Sequence, residues 1–225
     1  MQNSESTPQN NATPPTRSRG RPRAFDRMAA LDQATRLFWL KGFEATSMAD
    51  LTKAMGIGSP SLYAAFGSKE SLYAEAVRYY GETYEGHFWN KFYSAATARE
   101  AVESLLTESA TALTGCLNDT PRGCMMALSS VGSEGHPELG ELLRSTRAIG
   151  LERLIERFEL AVDEGELPTG TNIHSLARFV QTIQSGMSIL ARDGATQAEL
   201  ESVAQVTMMG WDAKVKSAFG EEQST

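Results

Sequence analysis

Hydroxyl and amine groups gathered at helix starts between Thr46 and Lys69 point to phosphate binding rather than bond breaking. Ser47, Ser59, Ser61, Tyr63 and Ser68 carry hydroxyls, Lys69 carries a cation, and Gly58, Pro60 and Ala64 keep the stretch slim. The first turn of a helix presents N–H groups without intrahelical partners at the positive end of the macrodipole, so a neighbouring ammonium completes an anion site. Lys69, just after Ser68, meets that description, and Thr46 with Ser47 offers the same at an earlier helix start. From Ser59 to Ala64 the side chains suit close backbone approach, phosphate hydrogen bonds and apolar contact with thymine methyls, while strong bidentate base readers are absent. Taken singly, each serine reads as a helix cap and Tyr63 as a packing residue; their joint order favours a nucleic-acid surface.

Upstream lies Arg17-Ser-Arg-Gly-Arg-Pro-Arg23, arginines on alternate positions with Gly and Pro between them. That composition suits an extended arm. Arg19-Gly-Arg-Pro22 resembles the core of an AT-hook, and Arg19, Arg21 and Arg23 would fit a narrow A·T-rich minor groove, where negative potential is concentrated. Nonspecific phosphate attraction by a basic tail is the plainer alternative. Met1 to Thr16 holds almost no large apolar residue, which predicts a disordered segment.

Catalytic material is scarce. His87, His136 and His174 are widely separated, and neither an HExxH nor a P-loop spacing occurs, so no enzyme, metal or cofactor is expected. Cys116 and Cys124 neither build a disulfide framework nor supply a four-ligand metal site. In Pro121-Arg-Gly-Cys124, however, a thiol follows an arginine at a helix start, two reasons for a lowered pKa. Sensing of oxidants or electrophiles through Cys124 is therefore an alternative to a buried, inert thiol.

The elements that must position these residues all read as helices, giving an all-α fold. Ala30, Leu31, Ala34, Leu37 and Phe38 share the face of a first helix that Gly42 ends. Ser47-Met-Ala-Asp50 has capping-box form and opens a second, ended by Gly56-Ile-Gly58. Ser59 is expected to cap a third, with Pro60 in its first turn, and Ser68 to start a fourth that runs to about Lys91. Further helices are expected over Ala98 to Leu117, Cys124 to Ser130, Pro137 to about Glu164 and Asn172 to Asp193. A capping box at Thr196-Gln-Ala-Glu199 opens the last. Two short helices joined by a glycine-containing turn behind a supporting helix form the helix-turn-helix pattern.

Charge follows the same division. Residues 17–72 carry nine Lys or Arg against five Asp or Glu, a balance of +4 that leaves −11 on the remainder of a chain whose total is −7. A basic module on an acidic body suits nucleic acid, because only the contacting face must meet phosphates. No run of about 18 apolar residues occurs, and the polar opening lacks the apolar core of a secretory signal. A cytoplasmic protein without a membrane partner is expected.

Phe43-Glu-Ala-Thr-Ser-Met-Ala-Asp-Leu51, Met55-Gly-Ile-Gly-Ser-Pro-Ser-Leu-Tyr63 and Phe66-Gly-Ser-Lys-Glu-Ser-Leu72 resemble the signature of the tetracycline-repressor-like (TetR/AcrR) regulators. The resemblance covers Phe25 to Val77. It implies a three-helix DNA-binding domain over 24–84, after a tail and arm at 1–23, and a helical ligand-binding and dimerisation domain over 85–220. It further implies a homodimer on a palindromic operator, in most cases a repressor released by a small-molecule inducer. Phosphate contacts would fall on Thr46, Tyr63 and Lys69 and base contacts around Ser59 to Ala64. The last two long helices would pair with their copies, which makes Leu176, Phe179, Val180, Ile183, Met187 and Leu190, then Val203, Val206 and Trp211, candidates for core or seam. A pocket among the middle helices would draw its wall from Phe88, Trp89, Phe92, Cys124, Met125, Met126, Phe158 and Gln184, all of which core packing would equally explain. The rival from another class is an architectural DNA-binding protein, for which an acidic body is an odd addition.

Overall fold

The computed structural model describes residues 25–116, 120–129 and 135–222, apart from the side chains of His87, Glu221 and Glu222. The arm arginines Arg19, Arg21 and Arg23 and the tail before them lie outside the described residues. Ten helices are present among the described residues, and no strand: α1 (Arg27–Lys41), α2 (Met48–Met55), α3 (Ser59–Phe66), α4 (Lys69–Thr83), α5 (Gly86–Ser94), α6 (Ala98–Leu113), α7 (Met125–Leu128), α8 (Pro137–Asp163), α9 (Ile173–Arg192) and α10 (Gln197–Glu222).

Capping explains most of the boundaries. Asp26 accepts from the N–H groups of Met28 and Ala29 at the start of α1, Ser47 and Asp50 form the reciprocal capping box of α2, and Ser68 accepts from Ser71 N–H at α4. Asn172 caps α9 through Ser175 N–H, and Glu199 reaches back to Thr196 at α10. Three boundaries differ from the expectation. The N-cap of α3 is Gly58, not Ser59, whose hydroxyl therefore stays outside the cap; Pro60 takes the first turn, where a missing N–H costs no helical bond. The fourth helix ends at Thr83 instead of Lys91, because Tyr84 is drawn to α1 by a 2.6 Å bond from its hydroxyl to Asp32 Oδ1. Gly86, a poor helix former, then opens α5. Finally α6 stops at Leu113, where the Thr114 hydroxyl donates back to Ala110 O and Gly115 turns to a φ of 75°.

The apolar residues form two cores. The first joins α1 to α4 around Phe38, Leu51, Leu62, Leu72, Tyr73 and Tyr80 and also takes in Met125 and Met126 of α7 and Leu139 and Leu143 of α8. The second is built from α5, α6, α8, α9 and α10 around Phe92, Leu105, Leu106, Phe158, Val180 and Trp211. Polar bonds tie them together. The indole N–H of Trp39, near the end of α1, donates to Gly123 O at 2.8 Å. Arg192, the last residue of α9, donates to Trp39 O, Leu40 O and Arg122 O at 2.8–2.9 Å. Arg122 in turn donates to Ala191 O and Ala195 O. Loop 121–124 is thereby held between the end of α1 and the end of α9.

Candidate DNA-binding and effector sites

A surface helix presents a constant face only if its other face is fixed, and α3 meets that requirement with two residues. Leu62 and Phe66 are buried, leaving Ser59, Pro60, Ser61, Tyr63 and Ala64 exposed along the opposite side. The turn before it reverses through Gly56 at a φ of 66°, a left-handed conformation that an L side chain adopts at a cost, and Gly58 remains exposed. Tyr63 is 51% exposed, so its ring is presented outward and makes little contribution to the core.

Arg27 fixes the far end of α3, a role that sequence reasoning passed over. Its guanidinium sits 4.4 Å from the Phe66 ring centre, donates to Ala65 O and pairs with Glu75 of α4 at 2.7 Å. One side chain of α1 therefore joins α3 to α4. The available signal was a basic residue in the first turn of α1, where the helix dipole disfavours it, so some other interaction had to account for it.

Phosphate-type donors divide sharply. Lys69 is half-buried, its Nζ lying 4.2 Å over the Phe43 ring in the first turn of α4, a geometry that stiffens the stem and leaves the cation at the surface. Thr46 is fully buried, and its hydroxyl donates to Gly42 O at 2.6 Å. Its side chain therefore holds the α1–α2 turn, contrary to the expectation of a phosphate-facing hydroxyl. The Ser47 hydroxyl is exposed but bonded to Asp50. Two N–H···O and O–H···O bonds from Ser47, with Lys41 3.2 Å away, hold the Asp50 carboxyl below its ordinary value. The Ser68 hydroxyl is likewise engaged as the cap of α4.

A cavity of about 590 Å³ opens between α5, α7, α8 and α9. Phe88, Trp89, Cys124, Met126 and Gln184 line it. Phe92, Met125 and Phe158 do not line it. Phe158 packs on Trp211 at 5.3 Å and the other two are fully buried in the cores, since the inward face of each helix serves packing before it serves a cavity. The sequence reading missed three arginines at this cavity, Arg144, Arg147 and Arg178, along with Glu85 and Gln181. Charged positions on α8 and α9 look like a solvated face until the two helices are known to border a cleft.

At Cys124 the structure favours the buried, inert thiol over the reactive alternative. Burial pushes its thiol up from the ordinary value, the opposite of the shift expected beside Arg122. The arginine is turned away to Ala191 O and Ala195 O, so its charge is spent on the end of α9. Burial also pushes Glu85 up, while Arg153 at 3.4 Å opposes the shift. Among the described residues, no three His, Cys, Asp or Glu side chains converge as metal ligands, and no helix is long and apolar enough to cross a membrane.

A helix-turn-helix with an outward second helix whose other face is fixed in the core, joined to a helical body, defines the class of helix-turn-helix DNA-binding transcription regulators. Residues 30–76 match the family model for bacterial regulatory proteins of the tetR family. The chain is 38% identical over 205 residues to the HTH-type transcriptional repressor ComR of Escherichia coli (strain K12), covering 89% of this chain and 95% of ComR. It is 26% identical over 191 residues to the uncharacterised HTH-type transcriptional regulator YezE of Bacillus subtilis (strain 168), covering 84% of this chain and 97% of YezE. Among solved structures, a cysteine mutant of the TetR family transcriptional regulator CifR, complexed with 26-bp double-strand operator DNA, superposes with a TM-score of 0.79. The two are 36% identical, over 84% of this chain and 98% of CifR. The chain belongs to the tetR family of regulatory proteins and is a transcription regulator, not an enzyme.

Proposed function

We propose that this chain is a repressor that binds a palindromic operator as a homodimer and leaves it when a small molecule fills the cavity. The observation that carries the reading is the outward face of α3, with Ser59, Ser61, Tyr63 and Ala64 exposed over buried Leu62 and Phe66. ComR is named as a repressor, and CifR is solved on operator DNA. In our reading residues 24–84 form the DNA-binding unit. Tyr63 and Lys69 meet phosphates, helped by the free first-turn N–H groups of α2 and α4 in place of the engaged Thr46 and Ser47 hydroxyls. Gly58 to Ala64 approach the base edges, and Arg19, Arg21 and Arg23 reach the flanking minor groove.

Residues 85–220 form the sensing and dimerisation unit of a protein working in the cytoplasm. Support for the dimer comes from α9 and α10, where Phe179, Ile189, Leu190, Val206 and Met209 are exposed although large and apolar. Gly186 and Gly210 leave open space beside them for close helix approach. Within the same two helices Val180, Met187 and Trp211 are buried in the protomer, which separates core from seam among the residues of one periodic pattern.

Two dimer-related recognition helices must match successive major grooves, so a ligand that favours a mis-spaced conformation weakens binding by its differential affinity. About a hundredfold preference corresponds to about 2.7 kcal/mol. The test is selection of bound sites from random duplex DNA, with sedimentation to count chains per site. A recovered palindrome occupied by dimers is expected, and Tyr63→Ala should lose that binding with an unchanged melting temperature. Recovery of no enriched sequence would favour architectural binding and refute the reading.

A further inference from the structure

We propose that the molecule this cavity takes is an amphipathic organic anion, its acid group held between Arg147 and Arg178 and its apolar body lying against Phe88 and Trp89. The inference deepens the repressor reading and rests on it for its regulatory meaning. Its physical basis is the imbalance of charge around one cleft. Three guanidinium groups border the cavity, on α8 (Arg144, Arg147) and α9 (Arg178), against a single carboxyl, that of Glu85.

The pairings decide which charges are free to act. Arg144 binds Glu141 at 2.7 Å, one turn away on its own helix. Glu85 faces Arg153, whose guanidinium also lies 5.0 Å over the Trp89 ring, so the one carboxyl is already answered on its own side. Arg147 and Arg178 have no carboxylate within ion-pair distance among the described residues. Arg147 spends one nitrogen on Met126 O and Ser129 O at 3.0–3.2 Å, and Arg178 donates to the Gln181 side chain at 3.0 Å. Gln181 in turn donates to the main-chain O of Arg147 at 3.1 Å, which ties the Arg178 side chain on α9 to the backbone of α8 at Arg147. Two guanidinium groups on one cavity, each with N–H donors left over, suit a carboxylate or phosphate group, and they repel a cationic ligand.

The lining also carries apolar side chains, those of Phe88, Trp89, Leu113, Met126 and Ala127. A volume of about 590 Å³ lies in the range of small-molecule sites, which bury most of a drug-sized ligand. A neutral molecule would cover the remaining N–H donors of both guanidinium groups without supplying a compensating negative charge, which selects against it. An anion on Arg147 would also act on α7, because Arg147 caps the carbonyls at its end. At the other end of that segment Gly123 O holds Trp39 of α1.

The test is calorimetric titration of the full chain with octanoate, decanoate, octyl phosphate and phenylpropanoate, each against a neutral counterpart: the methyl ester of each carboxylate, the primary amide of decanoate, and octanol. Quenching of Trp89 fluorescence, absent in Trp89→Phe, locates the bound molecule. We expect at least one acid to bind about tenfold to a hundredfold more tightly than its neutral partner, the range of a hydrogen bond to a charged group. Arg178→Gln, at an exposed position, should erase most of that preference and leave ester binding unchanged, whereas Arg147→Lys should reduce it in part. Equal or tighter binding of the neutral compounds overturns the inference, as does indifference of acid binding to both variants or binding by no compound of the series. Operator affinity measured alongside separates the two levels. Selective acid binding that leaves the operator complex intact refutes ligand release and sustains this inference. A neutral compound that fills the cavity and dissociates the complex does the reverse.

Discussion

Replacing Gly123 by alanine tests whether the joint between the two cores is as tight as its geometry requires. Gly123 is buried, has a φ of 79°, and would place a Cβ 2.5 Å from Leu128 Cδ1 and 2.8 Å from Ser188 O. The left-handed conformation costs an alanine about 1–2 kcal/mol. Overpacking against a backbone oxygen adds about 1–3 kcal/mol. The stiffer unfolded chain returns about 0.4–1 kcal/mol. A net loss of about 1–4.6 kcal/mol lowers the melting temperature of a chain of this length by about 2–18 °C. Gly165→Ala is the control, since Gly165 has nearly the same φ, 77°, and nothing within 4 Å of the added methyl. The two variants share the strain and the entropy, so their difference isolates the crowding. Thermal melts at one protomer concentration should place Gly123→Ala below Gly165→Ala by about 2–12 °C. Equal melting temperatures would refute the packing argument and, with it, the tight attachment of loop 121–124 to α9.

Three further outcomes follow from particular contacts. Arg192→Met removes the donor to Trp39 O, Leu40 O and Arg122 O, partly exposed carbonyls. A loss of about 1–2 kcal/mol, read as about 2–8 °C in a melt, should accompany a smaller effect of effector on DNA affinity. At neutral pH iodoacetamide should alkylate exposed Cys116 and spare Cys124, whose thiol burial pushes up; peptide mass spectrometry showing Cys124 modified first would restore the thiol-sensor alternative. Asp50, held below its ordinary value of 3.8 by its bonds to Ser47, contributes stability that is present above that value and is lost as pH falls through the lowered one. Asp50→Asn should flatten that acid limb in melts across the acid range, and parallel acid limbs for the variant and the natural chain would contradict the assignment.

The helices and the DNA-binding stretch were legible in the sequence because their causes are local. Capping boxes at Ser47 and Thr196, the helical spacing of Leu31, Ala34 and Phe38, and the reversal at Gly56 act within one or two turns of the chain. The order of those signals, with the family signature over the same residues, sufficed to recognise a tetR-family regulator. Local reasoning failed where a distant partner competed for a group. The fourth helix was cut at Tyr84, whose hydroxyl bonds Asp32, and Arg122 was turned from Cys124 towards the end of α9.

The cavity between α5, α7, α8 and α9 belongs almost entirely to the tertiary structure. Phe88, Trp89 and Met126 carry the same apolar character as Phe92, Met125 and Phe158, and only the packing of α5, α7, α8 and α9 decides which of them line a cavity and which fill a core. Arg147 and Arg178 lie thirty-one positions apart in sequence, and nothing in their spacing announces that they line one cavity. A sequence records which groups a chain carries and the order of its turns; the burial that sets their charge, partners and chemistry arises only when remote helices exclude water between them.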